Sequence, residues 1–118
     1  MSSAAGSDPQ PVRGYAVAHL RNVRMGPDLV TYLERIDATL EPYQGRFIVH
    51  GGKPQAVEGR WSGSLIVVEF PTRENAAAWY ASAAYQEILP LRLRHAEGWV
   101  VLVDGVPDGH VATDALRS

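Results

Sequence analysis

The side chains of this chain that could do chemistry fall at alternating positions of short apolar runs. His19 and Arg21 stand two apart in residues 15–22, Arg46 and His50 four apart in residues 46–50, and Glu69 lies in the run 64–70. In a strand, residues two apart share a face. That parity sets Tyr15, Val17, His19 and Arg21 against Ala16, Ala18 and Leu20. It sets Arg46, Ile48 and His50 against Phe47 and Val49, and Leu65, Val67 and Glu69 against Ile66, Val68 and Phe70. With the apolar sets turned to the helices, His19, Arg21, Arg46, His50 and Glu69 occupy the other face, together with Trp99, Val101 and Val103. Two histidines, a carboxylate and two arginines in a partly dry cavity suit proton transfer. Histidine titrates nearest neutral pH, and arginine holds an enolate, phenolate or carboxylate. In this reading His50 or His19 is the base, Glu69 orients it, and Arg46 or Arg21 stabilises developing charge. The expected substrate contacts are Arg21, Tyr15, Trp61, Tyr80, Tyr85 and Trp99, whose rings, with Trp79, would wall a flat apolar ligand.

Each residue also has a plainer role open to it. Either histidine could be a hydrogen-bonded interface residue. Glu69, beside Phe70-Pro71, could form a structural bridge to Arg46 or Arg92. Trp79 and Tyr80 are adjacent on a helix, so one packs and the other edges the pocket. Tyr85 could simply pack with a satisfied hydroxyl. Arg92 and Arg94 are expected on a solvated or interfacial helix face, and His95 at a helix end in favourable contact with the dipole. A metal site from His19, His50 and Glu69 is conceivable, but no metal and no cofactor are expected.

The elements that must position these residues can be read along the chain. Residues 15–22 form a strand. Pro27 suits a first helical turn, Asp28 favours its positive end, and Leu29, Leu33, Ile36 and Leu40 recur on one face. Pro42 and Gly45 stop that helix. Strands follow over 46–50 and 64–70, the latter apolar enough to be central. Thr72 caps a helix over 73–81, Ser82 caps a second piece reaching toward His95 with a kink or break at Pro90, and 99–103 is the last strand. The order β-α-β-β-α-β predicts a ferredoxin-like α+β fold: a four-stranded antiparallel sheet with its helices on one face. The other face then needs a cover, most simply a second copy of the chain. Residues 1–12 read as a disordered leader, 13–105 as the domain, and 106–118 as an irregular arm.

Composition narrows the classes. The 118 residues suit one domain, and 46% hydrophobic residues suffice for a core without metal or disulfide. Zero cysteine excludes disulfides, thiolate nucleophiles, cysteine-ligated zinc and iron–sulfur clusters. With 11 basic against 13 acidic side chains there is no basic excess for a nucleic-acid backbone. No apolar run is long enough for a membrane span, and no charged-then-apolar leader opens the chain, so a cytoplasmic protein is expected. Phosphate-loop, dinucleotide-fold, zinc-protease and serine-elbow motifs are all missing.

A set of blocks then carries a resemblance. Tyr43-Gln44-Gly45-Arg46-Phe47, Gly51-Gly52 and Glu58-Gly59-Arg60-Trp61 precede Val67-Val68-Glu69-Phe70-Pro71-Thr72. Ala77-Ala78-Trp79-Tyr80-Ala81-Ser82, Tyr85-Gln86 and Arg92 follow. Over residues 14–105 the chain resembles domain-of-unknown-function family 1330, in the dimeric α+β barrel superfamily. Gln44 departs from the pattern, replacing a glycine and leaving Gly45 to take a positive φ. The resemblance implies a homodimer with two sheets facing each other. It implies no fixed activity, since the superfamily includes cofactor-independent monooxygenases, isomerases, polyketide-modifying proteins and haem enzymes. The expected function is a cofactor-independent acid–base enzyme of isomerase, cyclase or monooxygenase type. Its substrate would be a small hydrophobic oxygenated metabolite, and the Ala-, Arg- and Val-rich composition suits natural-product biosynthesis. The alternative is a non-catalytic dimer that binds a metabolite or serves as a structural partner, with a haem-binding version behind both.

Overall fold

A computed structural model describes residues 12–117; the residues 1–11 of the expected leader lie outside the described residues. Strand β1 (Gly14–Arg21) leads to helix α1 (Pro27–Leu40), then β2 (Arg46–Val49) and β3 (Ser64–Phe70). Helices α2 (Arg73–Ala81) and α3 (Ala83–Leu93) precede β4 (Glu97–Asp104), and a 3-10 segment, Ala112–Arg117, follows. The strands run antiparallel in the order β2-β3-β1-β4, with the helices on one face. This is the ferredoxin-like arrangement that the element order implies.

Local chemistry sets the helix boundaries. Pro27 opens α1, with Asp28 in its first turn. The Thr72 hydroxyl accepts from the Asn75 N–H at 3.1 Å and starts α2, and the Ser82 hydroxyl accepts from the Tyr85 N–H at 3.2 Å and starts α3. Helix α3 runs through Pro90 to Leu93 rather than breaking there, although Pro90 has no N–H to donate to the Gln86 carbonyl one turn earlier. A 3-10 turn, Glu41–Tyr43, follows α1, and the left-handed residue that ends it is Gln44, with φ 58°, rather than Gly45. Gly45 is needed for space instead: a Cβ there would lie 2.6 Å from the Phe70 ring and 2.8 Å from Leu40 Cδ2.

The core lies between helices and sheet, where Phe70, Ala76 and Ile88 are fully buried and Tyr32, Ile36, Leu40, Val68 and Trp79 pack around them. Beneath α2, β1 runs so close that a Cβ on Gly14 would lie 2.2 Å from the Arg73 nitrogen. The opposite sheet face has no such cover: Trp99, Val101 and Val103 are each close to half exposed. Among the described residues, no helix is long and apolar enough to cross a membrane.

One irregularity controls where side chains point. Phe47 pairs with Val68, but Val49, not Ile48, pairs with Val67, so β2 carries a bulge at Ile48. One extra residue reverses parity beyond it. Val49 therefore joins Val67 on the open face and His50 passes to the helix side, the reverse of the expected assignment.

Candidate functional site

Two polar groups form, on opposite faces of the sheet. The first lies on the open face. Glu69 faces Arg46 and Tyr15 across the strands. Its Oε1 accepts from Arg46 Nε and Nη2 at 2.9 and 2.8 Å, and its Oε2 accepts from the Tyr15 hydroxyl at 3.1 Å. Arg13 adds a looser contact at 3.9 Å. The Arg46 hydrogen bonds hold the Glu69 carboxyl below its usual range, against the opposing effect of burial, with help from Tyr15. Of the two bridges open to Glu69, Arg46 is the partner found. Further along the same face, the His19 ring meets the Ser62 carbonyl at 2.6 Å and lies between Trp61 and Trp99, with ring centroids at 4.7 and 5.5 Å. That contact fastens the loop before β3 onto the sheet.

The second group lines a cavity of about 200 Å³ between the helices and the sheet. Its walls are mostly apolar: Ala16, Ala18 and Leu20 from β1, Ile66 and Val68 from β3, and Leu29 and Ile36 from α1. Where α1 meets α3, the buried hydroxyls of Tyr32 and Tyr85 share a hydrogen bond of 2.7 Å. Beside them stands Arg92, only 7% exposed. Burial lowers the pKa of its guanidinium, but the Tyr85 and Tyr32 oxygens outweigh that and raise it, so Arg92 stays charged. Burial and then Tyr85 push the Tyr32 phenol up, so it remains protonated. Trp79 also lines the cavity, its indole N–H donating to Thr39 Oγ1 at 3.0 Å, while the Thr39 hydroxyl donates to the Ile36 carbonyl at 2.7 Å. His50, carried across by the bulge, stacks on Phe47 with centroids 4.4 Å apart and stands exposed at the rim.

The four residues expected to act together are thus divided. Glu69 and Arg46 bind each other, His19 holds a loop on the same face, and His50 alone reaches the cavity. Among the described residues no hydrogen bond joins Glu69 to either histidine, and no cluster of three His, Asp or Glu could hold a metal. Of the expected substrate contacts, Tyr85 lines the cavity. Tyr15, Trp61 and Trp99 belong to the open face, and Arg21 is exposed at the end of β1. Tyr80 is half-buried against Trp79 and Tyr85, outside the cavity wall, while Trp79 is the one that lines it. Arg92, expected on a solvated or interfacial face, is buried. His95 lies at the end of α3 and bonds Asp28 at the start of α1 at 2.9 Å. Tyr32 and Arg92 carry the strongest polar features of the cavity. Spacing could have found both: Tyr32 falls between Leu29 and Ile36, and Arg92 continues the series Tyr85, Ile88, Leu89 on one helix face.

No curated protein matches the chain. Among solved structures, a protein of unknown function from Rhodopseudomonas palustris, RPA0582, is similar with a TM-score of 0.60 at 13% identity, over 86% of this chain and 87% of that one. The Arabidopsis thaliana protein At3g17210 is similar with a TM-score of 0.54 at 18% identity, over 87% of this chain and 93% of that one. At such identities the likeness extends to the fold alone. The family model for a domain of unknown function, DUF1330, matches residues 13–106. With that match spanning the whole sheet and all its helices, the chain belongs to the DUF1330 family.

Proposed function

We propose that this chain is a cofactor-independent acid–base enzyme, of isomerase, cyclase or monooxygenase type, acting on a small hydrophobic oxygenated metabolite. The observation that carries the reading is the cavity between helices and sheet. It is apolar over most of its wall, holds one compact polar group at Tyr32, Tyr85 and Arg92, and has a histidine at its rim. A mostly apolar pocket with a few convergent polar groups is the usual form of a small-molecule site. His50 is the proton-transfer group in this reading, and the phenols and guanidinium hold the oxygen on which charge develops. A cytoplasmic role in natural-product biosynthesis is consistent with that chemistry.

The working unit in this proposal is a homodimer. Trp99, Val101, Val103 and Val49 leave an apolar strip on the open face, bordered by the Glu69–Arg46 pair and His19. A second copy would cover that strip and supply the same polar border in reverse. Light scattering then reads twice the 12.9 kDa chain mass, and Val101→Asp reads the chain mass itself.

A second reading, a non-catalytic metabolite-binding dimer, is favoured by one observation. No carboxylate among the described residues hydrogen-bonds His50 to orient it. Small ketones, phenols and lactones incubated in heavy water separate the two, with deuterium uptake at the enolisable carbon followed by NMR. Uptake that falls about a hundredfold or more in His50→Ala supports the enzyme. Binding without uptake supports the second reading, and uptake indifferent to His50→Ala removes the histidine from the mechanism.

A further inference from the structure

The polar group in the cavity is unbalanced in its hydrogen bonding. A guanidinium donates and never accepts, and each phenol has a single hydrogen. The Tyr32–Tyr85 bond uses one of the two hydroxyl hydrogens. No protein acceptor among the described residues takes the other, and Arg92 can only add donors. Nor does any carboxylate pair with Arg92: among the described residues every ion pair involves other side chains. The other buried charge, Glu69, is fully matched by Arg46 and Tyr15. The Tyr85 and Tyr32 oxygens hold this charge in place but do not neutralise it, which leaves a cavity-lining cation with no counter-ion among the described residues.

We propose that the cavity takes a small organic monoanion. Its apolar body lies against Ile66, Val68 and Trp79, and its anionic oxygen accepts from Arg92 and from the free hydroxyl of the Tyr32–Tyr85 pair. This rests on the cavity being the ligand site and names the class of compound that fills it. The anionic oxygen is of carboxylate, enolate or phenolate type: acceptor-only, and able to take charge-assisted bonds from a planar guanidinium. A cavity of this size suits a compound near one aromatic ring in bulk, since an apolar cavity of about 150 Å³ accepts benzene. Neutralisation by the ligand completes what the fold leaves open, so anion and apolar body are recognised together.

Benzoate and its neutral isostere benzamide are the probes, titrated into the full chain and followed by NMR. The tryptophans supply an internal control. Trp79 lines the cavity, whereas Trp61 and Trp99 sit on the opposite face. Benzoate should move the Trp79 indole N–H and leave the other two in place. It should bind at least about tenfold more tightly than benzamide. Arg92→Met should abolish that preference, since the variant removes the charge on which the anionic oxygen is recognised. A purely structural arginine would leave the preference for benzoate intact in that variant. Equal affinity for benzoate and benzamide at Trp79 overturns the anion and leaves the cavity a ligand site. Failure of both probes to move Trp79 at millimolar concentration overturns the cavity as a site for compounds of this class. The comparison of probes on the wild-type chain decides the matter even if Arg92→Met does not fold.

Discussion

Replacing Glu69 by Gln tests whether the carboxylate on the open face holds the sheet together. The substitution keeps the shape but removes the charge that Arg46 grips through two nitrogens at 2.8 and 2.9 Å. Hydrogen bonds to charged groups contribute about 1.5–3 kcal/mol each when shielded. Here the Arg46 side chain is 71% exposed and Arg13 61%, so solvent screens much of that. The expected loss is therefore about 0.5–1 kcal/mol, or about 2–6 °C in Tm for a domain of this size. The pH dependence is the sharper test. The carboxyl of Glu69 is held below its ordinary 4.5 in the folded chain, chiefly by Arg46. A depressed carboxylate pKa gives stability that is complete above the unfolded value and is lost as pH falls through the folded one. The gap between wild type and Glu69→Gln should thus be full at neutral pH, begin to narrow near the ordinary 4.5, and close as pH falls through the depressed folded value. Urea unfolding curves at a series of pH values measure it. A gap that persists unchanged into acid, or that is missing at pH 7, refutes the charge-based account of this contact.

Two other substitutions probe the helix layer. Thr39→Val removes the acceptor of the Trp79 indole N–H and leaves that group buried without a partner. A loss of about 1–3 kcal/mol should appear in denaturant unfolding, with the fold retained by circular dichroism. Gly14→Ala forces a Cβ to within 2.2 Å of the Arg73 nitrogen, which only a shift of β1 or α2 relieves. It should cost about 1–3 kcal/mol or more, read as a fall in Tm, and a neutral outcome would mean that the two elements are not so closely apposed.

The order of elements was legible because the punctuation is strong. Pro27, Thr72 and Ser82 mark helix starts, and the apolar run through Val67 and Val68 marks a central strand. Strand parity then placed Tyr15, His19, Arg46, Glu69, Trp99 and Val101 on one face, as the register shows. It failed at His50 because a bulge leaves no trace in hydrophobic alternation when the residues around it, Phe47, Ile48 and Val49, are all apolar. The cavity was hidden for a different reason. Its polar group consists of Tyr32 and Arg92, types that ordinarily mark a helix's wet side, placed on the stripe that packs inward. Only a periodicity reading that ignores side-chain polarity would have gathered them.

The bulge at Ile48 has a consequence for inheritance. One residue more or less in β2 decides whether position 50 speaks to the cavity or to the open face, without disturbing the pairing of Arg46 with Glu69. Lineages that gain or lose that residue would exchange the side chain at the cavity rim in a single step, while the sheet, the helices and the Arg92 group stay as they are. The side chain at the cavity rim is therefore set by the local length of β2, and aligning relatives by their strands alone would equate side chains that face opposite ways.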